Sequence, residues 1–206
     1  MARHKIAILV GSLREGSINR RVGESICAMA GDILDCEIVE IGNLPLYNQD
    51  SDANPPAEFV AFRQKLAAMD GVLFVSPEYN RGMPGVLKNA IDVGSRPYGQ
   101  SVFDKKPAAI VTASPGSIGG FGANHQIRQS CVFLNMPVMQ QPEAYLGHVT
   151  DDSFDEAGCL KDGALKDLVM SLAAAFASWV DTIHRSRAAL AEDSAHAAQQ
   201  RQKEPA

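Results

Sequence analysis

The stretch KIAILVGSLREGSINRRVGESICAMA, residues 5–30, decides the fold. It opens with a continuous β-prone apolar run, passes through GSLREGSINR (11–20), and closes with an amphipathic segment of helical period. A strand that is apolar on both faces has to be covered on both sides. Strand, loop and helix in this order therefore predict the first unit of a parallel sheet.

The same alternation recurs outward from that unit. Apolar runs at LDCEIVEI (34–41), GVLFVS (71–76), PAAIVTAS (107–114) and, shorter, at PVM (137–139) predict four further strands. Helical patterns lie between them at 57–69, 85–94 and 122–135. The expected fold class is α/β, a doubly wound five-stranded parallel sheet with helices on both faces. Leu165, Leu168, Val169, Leu172, Phe176, Trp179, Val180 and Ile183 form one apolar stripe, so a last helix should close one face of the sheet. Residues 1–184 read as one domain. Residues 185–206 carry few large apolar side chains and read as a tail, a frayed helix or a disordered segment.

Composition narrows the function. A formal charge of -5 supplies no broad cationic surface, which argues against nucleic acid or an anionic membrane as a partner. No apolar segment is long enough to span a bilayer, and no cleavage site follows the first apolar run. Cys27, Cys36, Cys131 and Cys159 are widely spaced without a C-x-x-C pair, so a cytoplasmic, reducing location is expected. The five histidines are scattered, and no metal site is expected. Ser117 does not fit the G-x-S-x-G spacing of a hydrolase elbow. The acidic pairs of TDDSFDEAG (150–158) read as a solvated turn.

The loop 11–20 stands where an open α/β sheet binds ligands, beyond the carboxyl end of its first strand and at the start of a helix. Ser12 and Ser17 offer hydroxyls, Asn19 an amide and Arg14 a planar cationic fork; Ile18 opens the helix among them. The spacing is neither G-x-x-x-x-G-K-[ST] nor G-x-G-x-x-G. One terminal phosphate held by many donors fits, as in FMN. A simple helix cap by Ser17 or Asn19, with Arg14 solvated, fits the same residues.

Two later loops should converge on the first. SPEYNRGMPGVLKNAID (76–92) is stiffened by two prolines and can lay Pro77, Glu78, Tyr79 and Asn80 along a flat ring. ASPGSIGGFGANH (113–125), with four glycines, can form a further wall.

Together G-S-L-R-x-G-S-x-N-R, P-E-Y-N with P-G-x-L-K-N-A-I-D, and S-P-G-x-I-G-G resemble the NADPH-dependent FMN reductase family over residues 5–184. The resemblance implies a flavodoxin-like fold with noncovalent FMN. Its phosphate would lie over Ser12, Arg14, Ser17, Ile18 and Asn19, and its ring along Pro77, Glu78, Tyr79 and Asn80. Ser114 and Gly116 would contribute from the third loop; a serine common there in the family is Ala113 in this chain.

The implied activity is ping-pong hydride transfer from NADPH or NADH through FMN to quinones or similar small electrophilic acceptors, with no obligatory general acid. Tyr79 and Arg81 are candidate substrate-edge contacts. The implied assembly is a homodimer or homotetramer, with Arg96, Tyr98 and Phe103 in a loop expected to reach the partner. The alternatives are a single-electron carrier of the same fold and a flavin-binding interaction module without turnover.

Overall fold

Alternation along the first strand organises the molecule. In β1 (His4–Val10), Ile6, Ile8 and Val10 join one apolar cluster while Ala7 and Leu9 join a second on the opposite face. The computed structural model describes residues 3–201. After β1 come α1 (Ile18–Met29), β2 (Leu34–Ile38), α2 (Ala57–Ala67), β3 (Gly71–Ser76), α3 (Gly85–Gly94), β4 (Ala108–Ala113), α4 (Phe121–Phe133), β5 (Ala144–Leu146) and α5 (Ala164–Arg201). The five strands are all parallel in the order β2-β1-β3-β4-β5. This is the doubly wound flavodoxin-like arrangement, whose strand order reverses between β1 and β3.

Helices α1 and α5 cover one face through Val22, Ile26, Val169, Leu172, Phe176 and Val180. Helices α2, α3 and α4 cover the other through Phe59, Phe62, Leu66, Leu87, Ile91 and Ile127. Each such large side chain, fully buried, contributes roughly 1.5–3 kcal/mol of transfer free energy, and β3 and β4 are buried at every residue. The expected stripe on the last helix packs on the sheet from Leu165 to Val180, without Ile183, and its Trp179 also donates Nε1–H to the Pro137 carbonyl at 2.8 Å.

Two details depart from the sequence reading. The PVM segment makes only one isolated bridge, Val138 to Ala108, and the fifth strand proper is Ala144–Leu146. Pro142, which lacks an N–H, stands between the two pairings. Phe103, expected at a partner surface, is fully buried against Gly94, where an added Cβ would come within 2.5 Å of its ring. Of the two forms expected for the segment after His184, the helical one is present: α5 continues to Arg201 with Arg185–Ser194 exposed. The rest of the expected tail, 202–206, lies outside the described residues.

Candidate functional site

Ser17 ends the first loop and starts α1. Its Oγ accepts from Arg20 N at 3.2 Å, which satisfies one of the free amides of the first helical turn. Among the described residues, the amides of Ile18 and Asn19 have no partner, and the first turn carries no acidic side chain. Two donors therefore point out of a positive helix end. Ser12 and Arg14 approach from the loop, and Arg14 forms no ion pair among the described residues. Gly11 lets β1 leave the sheet beside β3: a Cβ there would stand 2.6 Å from Ser76 Oγ.

These residues line a cleft of about 140 Å³ with Pro77, Glu78, Tyr79, Ala113, Ser114 and Pro115. Nine of the eleven expected site residues are thus brought together: Ser12, Arg14, Ser17, Ile18, Asn19, Pro77, Glu78, Tyr79 and Ser114. Asn80 and Gly116 do not line it. Asn80 occupies the tip of a turn with φ 49°, and Gly116 supports the third loop by donating to Ser114 Oγ at 3.0 Å. Ala113 and Pro115 line the cleft without having been singled out as contacts.

Glu78 borders the cleft, yet its carboxylate is turned away to α4, where Oε2 accepts from Ala123 N at 3.0 Å. It therefore steadies the loop rather than offering a free polar edge. Tyr79 and Gly82 exchange both backbone hydrogen bonds at 2.9 Å, while Asn80 and Arg81 have φ of 49° and 66°. That is the pattern of a two-residue type I′ turn. It holds Tyr79, 53% exposed, at the lip of the cleft.

Asn19 is the most informative side chain. It is buried, its Nδ2 donates to the Ala113 carbonyl at 3.1 Å, and its Oδ1 has no partner. A buried acceptor without a donor is costly, so a ligand with hydroxyl donors is the natural complement. Free amides, hydroxyls and Arg14 beside it suit an anionic end. A ligand that joins a phosphate to a hydroxylated chain meets both requirements.

Titration near the site follows burial and charge. Burial, then the Glu143 carboxylate, push Tyr145 above the ordinary tyrosine range beside the third loop. On the outer side of α1, the Arg20 guanidinium holds Glu40 below the usual carboxylate range. Burial pushes the Cys131 thiol up to about 12, which leaves it inert. Among the described residues, no group of three or more His, Cys, Asp or Glu side chains is placed to hold a metal ion.

A parallel 2-1-3-4-5 sheet with a polar cleft outside β1 and β3 defines the flavodoxin-like class of fold. The pattern of the NADPH-dependent FMN reductase family matches residues 4–151, and the chain belongs to that family. It is an NAD(P)H-dependent flavin oxidoreductase. A quinone reductase of Pseudomonas putida is 53% identical over 178 residues, covering 86% of this chain and 95% of the relative. A 2-hydroxy-1,4-benzoquinone reductase from a Burkholderia species is 42% identical over 176 residues, with 85% and 96% covered. Among solved structures, the flavoenzyme NAD(P)H:(acceptor) oxidoreductase FerB from Paracoccus denitrificans superposes with a TM-score of 0.83 at 33% identity, over 87% of this chain and 98% of that one.

Proposed function

We propose that this chain reduces quinones, taking reducing equivalents from NAD(P)H through FMN held in the cleft between the loops that follow β1, β3 and β4. The observation that carries the site assignment is the coexistence, in one small cleft, of unpartnered amides at Ile18 and Asn19 with the orphaned Asn19 Oδ1.

Ser12, Arg14, Ser17 and the first turn of α1 would hold the phosphate, and Asn19 Oδ1 a hydroxyl of the ribityl chain. Pro77 and Tyr79 would support the ring, with Asn80 and Gly116 setting the loops behind them. FMN held there would supply the two-electron hydride chemistry between nicotinamide and acceptor. The protein's task is placement, and the stiff β3–α3 loop with its paired Tyr79–Gly82 turn performs it.

A cleft of about 140 Å³ accommodates the sugar-phosphate end and leaves the ring at an open lip beside the exposed Tyr79. A lip of this kind favours alternate occupation by nicotinamide and quinone, and hence ping-pong turnover. It also favours a homodimer or homotetramer in which a second copy borders the ring. Four unpaired cysteines support a reducing, cytoplasmic setting. Among the described residues, no helix is long and apolar enough to cross a membrane.

The test uses one preparation of the full chain: a visible flavin spectrum, its bleaching by NADPH without oxygen, and its return on adding a benzoquinone. Equal loading of FMN by the wild type and by Arg14→Ala with Ser17→Ala would overturn the site. Flavin that NADPH and NADH both leave oxidised would overturn the function and favour a single-electron carrier.

A further inference from the structure

The loop that presents Tyr79 is fastened to α4 at two points. Glu78 Oε2 accepts from Ala123 N at 3.0 Å, and Gln126 Oε1 accepts from Met83 N at 2.6 Å. Two glycines allow the approach. A Cβ on Gly82 would stand 2.6 Å from Gln126 Oε1, and a Cβ on Gly122 would stand 2.6 Å from the Arg81 carbonyl. Segments 78–83 and 122–126 are therefore fitted to each other backbone against side chain.

Between the two fastenings lies the Tyr79–Gly82 turn, with Arg81 in a left-handed conformation that a bulky residue adopts at a cost. A strained turn persists only when its surroundings determine it. Glu78 holds the turn's entry and Gln126 its exit. Gln126 is itself exposed, one turn along α4, and does not line the cleft.

We propose that Gln126 is a positioning residue for hydride transfer: by holding Met83 N it fixes the exit of the 79–82 turn, and with it the height of Tyr79 and the loop backbone over the ring site. This rests on the functional reading above. The proposed phosphate cradle belongs to the β1–α1 loop and the first turn of α1 and shares no residue with this clamp, so cofactor retention and ring placement separate. Loss of the Gln126 acceptor then loosens the turn while FMN stays bound.

The test compares wild type, Gln126→Ala, Gln126→Glu and Gly82→Ala. In the apo proteins, hydrogen exchange at Met83 should speed up about tenfold in Gln126→Ala, the scale of one lost hydrogen bond. FMN affinity should change less than about threefold. With FMN saturating, kcat/KM for NAD(P)H per bound flavin should fall about tenfold. Gln126→Glu, which keeps an acceptor oxygen, should restore both readouts. Gly82→Ala, which displaces the amide from the other side, should reproduce the loss, and combining it with Gln126→Ala should add little. Unchanged kcat/KM in Gln126→Ala despite faster Met83 exchange overturns the inference alone. So does a loss of turnover that tracks only lost FMN. A wild type that binds no FMN overturns the functional reading and this inference with it.

Discussion

Both ends of the sheet carry polar groups, and they differ in what those groups do. At the amino ends, Asp70 Oδ2 accepts from Lys5 N at 2.8 Å and lies 3.9 Å from His4 Nδ1, while His4 Nε2 lies 3.7 Å from Asp181. His184 stacks on His4 with centroids 5.7 Å apart and meets the Asp70 carbonyl at 3.0 Å, and Lys106 donates to the Met69 carbonyl. At the carboxyl ends, Ile18 N, Asn19 N and Asn19 Oδ1 have no partner, and Arg14 is free of any ion pair among the described residues. Density of charge marks neither end as functional. The unsatisfied groups at the carboxyl ends are what support the proposed ligand site there.

The largest effect that tests this contrast is Ser12→Ala with Arg14→Ala. Losing one charged and one neutral hydrogen bond should weaken FMN binding by about 3 kcal/mol, roughly a hundredfold, with little change in the urea midpoint. Fluorescence titration reads the first quantity and denaturation the second; unaltered affinity would break the contrast. Ser17→Ala comes next, because this residue serves both fold and ligand. It should cost about 1 kcal/mol of stability through the lost cap and about tenfold in affinity.

At the opposite end, Asp70→Ala should cost up to about 1 kcal/mol of stability and leave FMN affinity unchanged, since its contacts are partly exposed. The smallest effect concerns Lys106, whose pKa burial lowers. A lysine with a folded pKa below its unfolded one destabilises the fold fully below the folded value, and the penalty fades as pH rises toward the ordinary lysine range. The stability of wild type relative to Lys106→Met should therefore improve from pH 7 to pH 10 in urea titrations. A constant difference would mean that Lys106 is solvated after all.

The grouping of Ser12, Arg14, Ser17 and Asn19 around one cleft is legible in the sequence because they are neighbours: they fall within one loop and one helical turn, where local geometry decides the outcome. The sheet is legible for the same reason, since β1, β3 and β4 are buried on both faces and read as unbroken apolar runs. What escapes depends on distant partners. The Glu78 carboxylate finds its donor, the Ala123 amide, 45 residues away on α4, and no local pattern distinguishes that from a ligand contact. Phe103 resembles a surface aromatic until Gly94 opens a place for it. The misplaced fifth strand arises because residues 137–139 do pair with β4, at one bridge only, before the chain leaves the ladder and returns at Ala144.

The bare first turn of α1 has a practical consequence at the bench. The first turn carries no acidic side chain, so, if it holds the coenzyme phosphate as proposed, phosphate or sulfate buffers should compete with that coenzyme tail. The measured yellow-to-protein ratio of a preparation is thereby set in part by the choice of wash, and a colourless fraction from phosphate buffer should regain colour after dialysis into a zwitterionic one with added flavin.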